Sequence, residues 1–400
     1  MPPQRMNSRG KIHIVWITTG LGSGGAEMVL FSLIAAADPA RFRHSVISLT
    51  PGGKYEGKLR ERGIEVTSLG MRPGRPGPIA LFRLALAIRR ISPDVLMGWM
   101  YHGAFAALLA RRISFRSVPV IANVRQSLDS LANEKRGSAM VIRMLSVLSS
   151  QFSAIVYNSR RSADQHESLG YDRSRRVIIP NGVDTQSFAP STGARAALRH
   201  ELGLPEDALL VGRIGRNHPM KDYPSFLKAA DLVSRENSAV HFVLAGAGVE
   251  RSDAMLAECL EKMSAPERVH LLGERHDLPR LTSSLDIACS SSAFGEGFPN
   301  IIAEAMACGI CCVATDVGDS ARLLGEEGRV VPPKDSSEMA RAILAWLQWP
   351  PESRASIGER LRRRAAMNFS FDAALEKFAR LWTRDPCATG VQPEENPCAA

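Results

Sequence analysis

Residues 12–27, which read IHIVWITTGLGSGGAE, contain the pattern that decides the fold. An apolar run of strand length over residues 12–18 is followed by a glycine-rich loop and then by helical periodicity over residues 26–37. The same alternation of apolar runs and helical segments continues along nearly the whole chain. Because the strand segments are too uniformly apolar to have one solvated face, they predict parallel sheets covered by helices on both faces.

The alternation stops at the turn cluster Pro-Asn-Gly-Val-Asp of residues 180–184 and then starts again, which predicts two doubly wound, Rossmann-like α/β domains. In the first half, the predicted strands cover residues 12–18, 45–49, 94–99, 118–124, 154–157 and 177–179, and the predicted helices include 26–37, 79–91 and 102–111. In the second half, the predicted strands cover residues 209–214, 240–245, 269–271, 286–289, 311–314 and 329–331, and the predicted helices include 224–235, 253–262, 299–307 and 337–347.

These elements predict how the domains divide the chain. We expect an N-terminal domain over residues 1–185 and a C-terminal domain over residues 186–368. A last helix over residues 369–385 is expected to pack back on the N-terminal domain, and residues 386–400 are expected to be disordered. Two doubly wound domains would face a central cleft, which is where ligands usually bind.

The overall composition narrows the class of protein. With 400 residues, of which 45% are apolar and 23% charged, the chain is long enough for two domains and is neither disordered nor fibrous. It has no run of about 18 uncharged apolar residues, and its first residues lack the apolar core of a secretory signal. Its seven cysteines are scattered and odd in number, so no disulfide framework is expected. These features predict a cytoplasmic protein.

The net charge of +9 is concentrated in the first half, since residues 1–190 sum to +14 and residues 191–400 to −5. A basic half indicates an anionic partner, which would be nucleic acid, the inner face of a cell membrane or a phosphate-bearing substrate. Nucleic acid is disfavoured because no zinc-finger spacing, RRM signature or aromatic-interleaved basic strip occurs. The side chains that could bind a membrane surface peripherally, or form an ordinary solvated helical face, are Arg83, Arg89, Arg90, Arg111, Arg112, Phe115 and Arg116.

The first candidate motif is the glycine-rich loop of residues 20–25. Gly22, Gly24 and Gly25 would let the backbone approach a ligand closely while helix N–H groups point at an anion. The spacing is not the Gly-x-Gly-x-x-Gly of dinucleotide-binding enzymes, and no acid ends the second strand to hold a ribose, so an oxidoreductase is disfavoured. A tight strand–helix turn that binds nothing is an equally good explanation of the loop alone.

Two cations form the second candidate motif. Arg216 and Lys221 follow the first strand of the second domain, at the carboxyl edge where open sheets bind ligands. Together they suit a diphosphate, because an arginine can donate two parallel hydrogen bonds to phosphate oxygens and a lysine provides a compact positive charge. Taken alone, they are also consistent with ordinary surface charges in a loop.

Residues 294–309, FGEGFPNIIAEAMACG, form the most informative motif. Pro299 suits the first position of a helix, so the unpaired N–H groups of Asn300 and Ile301 could hold a phosphate without a metal.

Two carboxylates accompany this helix start. Glu296 lies in the loop before the helix and Glu304 in its second turn, so both could accept hydrogen bonds from the paired hydroxyls of a sugar or ribose. The alternative is one exposed acid and one helix-surface acid, which the neighbouring Gly, Phe and Pro residues disfavour.

A histidine and a cysteine pair complete the candidates. His102 follows the strand that ends near Trp99, and this position favours a functional histidine over a structural one. Cys308 and Cys311 have Cys-x-x-Cys spacing, but no second pair of Cys or His accompanies them. They are therefore interpreted as structural rather than as a zinc or redox site.

Together these motifs resemble those of retaining GT-B glycosyltransferases of family four (glycosyl transferases group 1). The resemblance covers about residues 12–370. It rests on Gly-Gly-Ala-Glu after the first strand, Asn158-Ser159, the turn at residues 180–184, Arg216 with Lys221, Glu296-x7-Glu304 followed by Ala-Met-Ala-Cys-Gly, and the histidine segment ending at His102.

The resemblance implies a function and the partners that go with it. It implies transfer of a sugar, with retention, from a nucleotide-diphosphate donor, most simply a UDP-sugar. The acceptor it implies is a glycan or lipid-linked molecule in surface polysaccharide biosynthesis. No cofactor and no metal are expected. The sequence contains no Asp-x-Asp, the motif that binds the metal and the donor diphosphate in the other main sugar-transferase fold.

The resemblance also implies roles for single residues. His102 would touch the transferred sugar, while Arg216 and Lys221 would hold the donor diphosphate. Glu296 would contact sugar hydroxyls, and Glu304 would bind the ribose. The remaining donor-binding residues that it implies are Gly22, Gly24, Gly25, Phe298, Pro299, Asn300 and Ile301.

The sequence departs from the family pattern at Ile310-Cys311, where a proline is common, and at Gly318-Asp319, where Gly-Gly is common. Two alternative functions stay open. A sugar-nucleotide 2-epimerase shares the architecture but needs an acid/base set that the sequence does not show. A non-catalytic nucleotide- or glycan-binding module would be expected to have lost Lys221 or Glu304.

Overall fold

The computed structural model describes residues 10–71, 77–115, 117–128 and 130–383. The tail expected to be disordered, over residues 386–400, and Arg116 of the basic set lie outside these described residues. Contacts divide the chain into two compact units, the first containing the described residues up to Ile179 and from Leu375 onward. The second unit is Pro180–Ala374, so the division falls a few residues before the one expected at 185/186.

The first unit contains a seven-stranded sheet in the order β3-β2-β1-β4-β5-β6-β7, in which all neighbouring strands are parallel. Its strands are β1 Ile12–Thr18, β2 Phe42–Ser48, β3 Glu65–Ser68, β4 Val95–Trp99, β5 Val120–Val124, β6 Ala154–Tyr157 and β7 Arg176–Ile178. Its helices are α1 Gly25–Ala36, α2 Lys54–Glu61, α3 Pro78–Ile91, α4 Met100–Ile113, α5 Arg136–Leu148 and α6 Arg160–Ser168.

The second unit contains a six-stranded parallel sheet in the order β10-β9-β8-β11-β12-β13. Its strands are β8 Leu209–Ile214, β9 Val240–Ala245, β10 Val269–Leu271, β11 Ile287–Ser290, β12 Cys311–Thr315 and β13 Arg329–Val331. The helices from there to the end of the description are α7 Ala194–Glu201, α8 Tyr223–Glu236, α9 Ala254–Glu261, α10 Leu278–Ser283, α11 Asn300–Ala307, α12 Ser320–Leu324, α13 Ser336–Leu347, α14 Pro351–Phe369 and α15 Phe371–Thr383.

Both sheets reverse their strand order at one place, which positions the candidate sites. In the first sheet, β2 lies on one side of β1, and the later strand β4 lies on its other side. In the second sheet, β9 and the later strand β11 flank β8 in the same way. Ligands of open parallel sheets bind outside the carboxyl ends of the strands at such a switch point.

Three local predictions need correction. The strand β3, Glu65–Ser68, was not predicted, because Val66 is its one apolar residue and the four residues form no apolar run. The helix expected from residue 102 begins at Met100, whose backbone has a φ of 58°. Pro299 is not the first helical residue but the N-cap residue of α11, with extended backbone at φ −76° and ψ 92°.

An aromatic cluster joins the end of α15 to the first sheet. Trp382 is almost fully buried, and its ring centroid lies 5.8 Å from that of Trp16 on β1 and 5.1 Å from that of Phe42 on β2. Phe378, one turn earlier on the helix, lies 5.9 Å from Trp382. Such tilted and edge-to-face pairs add to the apolar burial of each ring.

Trp382→Ala is therefore expected to lower the free energy of unfolding of the first unit by about 3–5 kcal/mol, because it leaves a cavity in a packed aromatic cluster. The measurement is urea denaturation of the full chain, followed by circular dichroism and tryptophan fluorescence. Trp349→Ala removes a tryptophan that is 40% exposed and serves as the matched control, with an expected loss of no more than about 1 kcal/mol. Equal losses in the two variants would contradict this account of the cluster.

Candidate functional site

The carboxyl ends of β8 and β11 carry two loops that are hydrogen-bonded to each other. The two strands are direct neighbours in the sheet. The backbone N–H of Ala293, after β11, donates to the carbonyl of Met220, after β8, at 2.8 Å. The hydroxyl of Ser291 donates to the carbonyl of Lys221 at 2.9 Å. These bonds hold the loop that carries Lys221 against the loop that carries Glu296.

Lys221 and Glu296 form a largely buried ion pair. Lys221 Nζ lies 2.5 Å from Glu296 Oε2, and the Ser292 hydroxyl donates to the same oxygen at 2.9 Å. Burial alone would raise the pKa of Glu296, but the charge and hydrogen bond of Lys221, with the Ser292 bond, outweigh it and lower the pKa. Glu296 is therefore ionised at neutral pH.

Arg213 lies beneath this pair and was not among the predicted site residues. It is fully buried on β8, and its guanidinium donates to the carbonyl of Lys221 at 2.6 Å and to the Ser291 hydroxyl at 3.2 Å. The guanidinium carbon also lies 4.5 Å from the ring centroid of Tyr223. Its sequence signal was a charged residue inside an otherwise apolar strand.

Glu304 has the opposite electrostatic environment from Glu296. It is half-buried on α11, and burial raises its pKa to about 7, with a smaller opposing effect from the charge of Lys221. The structure thus places both predicted carboxylates within the influence of one lysine. One of them is ionised and paired, whereas the other titrates near neutral pH.

The N-terminus of α11 is open at the same edge of the sheet. Within the described residues, the N–H groups of Asn300 and Ile301 have no hydrogen-bond acceptor. Phe298 anchors the approach to the helix by packing its ring 5.8 Å from that of Phe369. Asn181 Nδ2 donates to Asn300 Oδ1 at 2.7 Å, so the turn at residues 180–184 supports this helix start.

Close backbone contacts at two glycines fix the loops. A Cβ on Gly318 would lie 2.2 Å from the carbonyl oxygen of Glu296, and a Cβ on Gly246 would lie 2.1 Å from that of Gly215. Because Gly246 has no side chain, the backbone of Gly215, the residue before Arg216, can lie against it. At Gly318-Asp319, where the sequence departs from the family pattern, the N–H of Asp319 donates to the carbonyl of Gly297 at 3.0 Å.

Arg216 lies in the same β8–α8 loop as Lys221, and its side chain is exposed. Partial burial and then the charges of Arg216 and Lys221 lower the pKa of His218. His218 itself caps the short turn Pro219–Lys221 by accepting from the N–H of Met220 at 3.2 Å. The loop therefore carries two cations, of which Lys221 is paired with Glu296 and Arg216 is exposed.

In the first unit, His102 and the glycine-rich loop lie at the carboxyl ends of the neighbouring strands β4 and β1. The Trp99 indole N–H donates to the carbonyl of Ala26 at 3.0 Å, which ties the turn before His102 to the first turn of α1. A Cβ on Gly103 would lie 2.2 Å from the carbonyl oxygen of Ile17. His102 is half-buried, and burial lowers its pKa, so the imidazole is neutral at neutral pH.

The glycines of this loop are not all required by the protein's own packing. A Cβ on Gly22 or Gly25 would meet no atom within 4 Å, and neither residue has a positive φ. A Cβ on Gly24 would meet only the flexible carboxylate of Glu27, at 2.3 Å. Open space over Gly22 and Gly25 leaves room for a ligand to reach the backbone.

The structure therefore brings the predicted residues together at two sheet edges, each within one unit. Those in the second unit are Arg216, Lys221, Glu296, Phe298, Pro299, Asn300, Ile301 and Glu304, and those in the first are Gly22, Gly24, Gly25 and His102. Cys308 and Cys311 are buried, and burial raises the pKa of Cys308 to about 12 and that of Cys311 to about 11. Among the described residues, no cluster of three or more His, Cys, Asp or Glu is placed to hold a metal ion.

Comparison with known proteins gives the class of enzyme. A model of the Glycosyltransferase Family 4 domain matches residues 23–187, and a model of the domain described as Glycosyl transferases group 1 matches residues 205–348. This protein is a GT-B glycosyltransferase. The two matched ranges include every candidate site residue of the glycosyltransferase except Gly22, which directly precedes the first range.

Individual relatives and solved structures agree with this class. The glycosyltransferase is 26% identical over 410 residues to the D-inositol 3-phosphate glycosyltransferase of Salinispora arenicola, covering 96% of this chain and 89% of the relative. It is 29% identical over 163 residues to the UDP-Gal:alpha-D-GlcNAc-diphosphoundecaprenol alpha-1,3-galactosyltransferase of Escherichia coli, covering 40% and 42% of the two chains. Anabaena HepE in complex with UDP and glucose has the same fold, with a TM-score of 0.80, 21% identity and coverage of 93% of this chain and 100% of HepE.

The two carboxylates of the site are expected to affect stability in opposite directions. The pKa of Glu304 rises from 4.5 to about 7 on folding, so the cost of burying its ionised form is fully present above pH 7 and is lost as the pH falls toward 4.5. Glu304→Gln is therefore expected to raise the free energy of unfolding of the second unit at pH 8 and to change it little at pH 5.

Glu296→Gln is the matched control. Because Lys221 lowers the pKa of Glu296, its ionised form stabilises the fold above about pH 4.5, and that contribution is lost as the pH falls. This variant is expected to lower the free energy of unfolding at pH 8. Urea denaturation at the two pH values measures both effects, and a Glu304→Gln protein no more stable than wild type at pH 8 would contradict the account.

Proposed function

We propose that this glycosyltransferase moves a sugar from a UDP-sugar to a glycan or lipid-linked acceptor, with retention of anomeric configuration and without a metal. The observation that carries the proposal is the buried Lys221–Glu296 pair beside the open N-terminus of α11, at the switch point of a parallel sheet. Two of the similar proteins support these classes of donor and acceptor. HepE has been solved with UDP and glucose, and the Escherichia coli relative acts with UDP-Gal on a diphosphoundecaprenol-linked sugar.

The positive groups of the site suit the charge that develops during transfer. Breaking the bond between the sugar and the donor phosphate puts negative charge on the nucleotide diphosphate. Lys221, Arg216 and the N–H groups at the start of α11 are the groups that would stabilise it, and one well-placed donor is often worth about 3 kcal/mol. Since these groups can neutralise the leaving group, we infer that no divalent cation is needed.

The two carboxylates would hold the parts of the donor on either side of the diphosphate. Glu304, once ionised, would accept hydrogen bonds from the ribose hydroxyls. Glu296 would accept them from the transferred sugar while its ion pair holds the side chain of Lys221 in place. A group that titrates near pH 7 gives a further expectation, because donor binding should tighten as the pH rises through that value.

Retention is proposed to occur by attack from the face that the phosphate leaves. The acceptor oxygen forms a bond to the anomeric carbon as the carbon–oxygen bond to the diphosphate breaks, and the acceptor proton passes to the departing phosphate oxygen. The environments of the carboxylates support this route over a covalent intermediate, since Glu296 is held by Lys221 and Ser292. The neutral His102 would hydrogen-bond the transferred sugar near its reacting carbon.

The donor site is tested by substituting its charged residues. Lys221→Ala and Glu304→Ala are each expected to lower the rate of UDP-sugar hydrolysis or transfer at least about tenfold, equivalent to about 1.4 kcal/mol. Lys228→Ala, which removes an exposed lysine of α8, should leave the rate unchanged. Turnover of a panel of UDP-sugars is measured with and without EDTA, and activity should survive the chelator. Wild-type rates in both site variants would overturn the residue assignment, and loss of activity in EDTA would overturn metal independence.

The glycine-rich loop gives an independent test. Gly22→Ala and Gly25→Ala should fold normally, because a Cβ at either position meets no protein atom, but should raise the KM for the donor or acceptor several-fold. Gly57→Ala, in α2, also adds a methyl group in open space and is the control. If the loop variants and the control have the same KM, no ligand reaches the backbone at Gly22 and Gly25.

A further inference from the structure

Helix α3 has one apolar face buried in the first unit and a second apolar face in solvent. Ala80, Leu84 and Ile88 recur every four residues and are buried. Ile79 and Phe82 lie on the opposite side and are 68% and 69% exposed. Leu86, one turn after Phe82, is also exposed, so burial against the fold does not account for the second apolar face of this helix.

The exposed apolar surface continues onto the neighbouring elements. Phe115, two residues after the end of α4, is 87% exposed, and the Arg89 guanidinium of α3 lies 5.8 Å from its ring centroid. Helix α4 packs between α3 and α5, and α5 exposes Met144 and Val147 on its outer side. We call the exposed side chains Ile79, Phe82, Leu86, Phe115, Met144 and Val147 the α3–α5 surface.

The charged residues of the three helices that carry this surface are all basic. Residues 78–91, 100–115 and 135–148, which contain the three helices, include no Asp and no Glu. Their cations are Arg83, Arg89, Arg90, Arg111, Arg112, Lys135, Arg136 and Arg143. Helix α2, by contrast, mixes Lys58 and Arg60 with Glu56 and Glu61.

We propose that the α3–α5 surface docks on a bilayer that contains anionic phospholipids. Aromatic and aliphatic side chains interleaved with arginines suit the boundary between headgroups and acyl chains, where apolar groups insert and cations meet lipid phosphates. A surface that binds a protein is expected to have a contiguous apolar centre surrounded by a polar rim. Here arginines follow Phe82 and Leu86 within four residues along the same helix, so charged and apolar side chains are interleaved. None of the helices described is long and apolar enough to cross a membrane.

This contact would bring the first-unit site to the lipid surface. Helix α4, which lies between the two docking helices, carries His102 in its first turn. If the proposed function holds, a lipid-linked acceptor in the same bilayer could reach that end of α4 without leaving the membrane. Docking itself does not depend on sugar transfer, so it can be measured without a donor.

The test is co-sedimentation of the full chain with vesicles made of equal parts phosphatidylglycerol and phosphatidylcholine, or of phosphatidylcholine alone. The wild-type protein should sediment with the anionic vesicles and bind them more weakly as salt rises. Phe82→Ala should lower the partition coefficient about tenfold through lost apolar burial, and Arg90→Ala about fivefold through one lost cation. Phe82→Ala should also make the remaining binding more sensitive to salt.

Matched controls come from elsewhere on the chain. Met367→Ala removes a 79% exposed apolar side chain of the second unit, and Lys228→Ala removes an exposed cation; both should bind as wild type does. Three results would overturn the proposal: no binding to anionic vesicles at low salt, equal binding by Phe82→Ala and Met367→Ala, or a dimer in solution that Phe82→Ala dissociates, which would make a second copy the occupant. Donor hydrolysis without vesicles, measured in parallel, reports on the proposed function separately.

Discussion

The contact between Lys221 Nζ and Glu296 Oε2 at 2.5 Å is the interaction on which the second-unit site depends. It joins the loop after β8 to the loop after β11, and the charge and hydrogen bond of Lys221 lower the pKa of Glu296 against the opposing effect of burial. Arg213 below the pair donates to the carbonyl of Lys221, so the lysine is held from its backbone as well as from its side chain. The result is a cation fixed in place before any ligand arrives.

Pre-organisation of this kind has a cost in stability that is visible in the site. Glu304 has its pKa raised to about 7 by burial, which means that the folded protein holds an acid where a neutral residue would be more stable. Met100 has a φ of 58°, unusual for a long side chain, two residues before His102. Both features persist because the surrounding packing determines them, and both occur at the carboxyl edges of the two sheets. Strain and unfavourable burial concentrated at such edges are typical of functional sites.

Much of this arrangement could be predicted from the sequence, and the reason differs between elements. The two sheets were predictable because β1 and β8 are apolar runs long enough to need cover on both faces. The polar four-residue strand β3 was missed because pairing with β2, rather than its own pattern, makes it a strand. The charged loop residues were found because motif spacing marks them. Arg213 was missed because its role comes from the fully buried position that tertiary packing gives it.

The loop conformations were beyond sequence reasoning for a similar physical cause. Gly318 and Gly246 are needed because a backbone carbonyl passes within about 2.2 Å of where their Cβ atoms would be, and such approaches exist only in the folded chain. The same holds for the exposed side of α3. Its pattern of arginines and apolar residues predicts an amphipathic helix, but only the structure shows that Phe82 and Ile79 point to solvent while Leu84 is buried.

The most direct test of the central claim is to compare the binding of UDP and of uridine by isothermal titration calorimetry. If Lys221 and the start of α11 form a diphosphate site, wild-type protein should bind UDP at least about tenfold more tightly than uridine. Lys221→Met, which keeps the apolar stem but removes the charge, should lose most of that difference while binding uridine as wild type does. Equal affinities of the wild-type protein for UDP and uridine, or an unchanged preference for UDP in Lys221→Met, would contradict the claim.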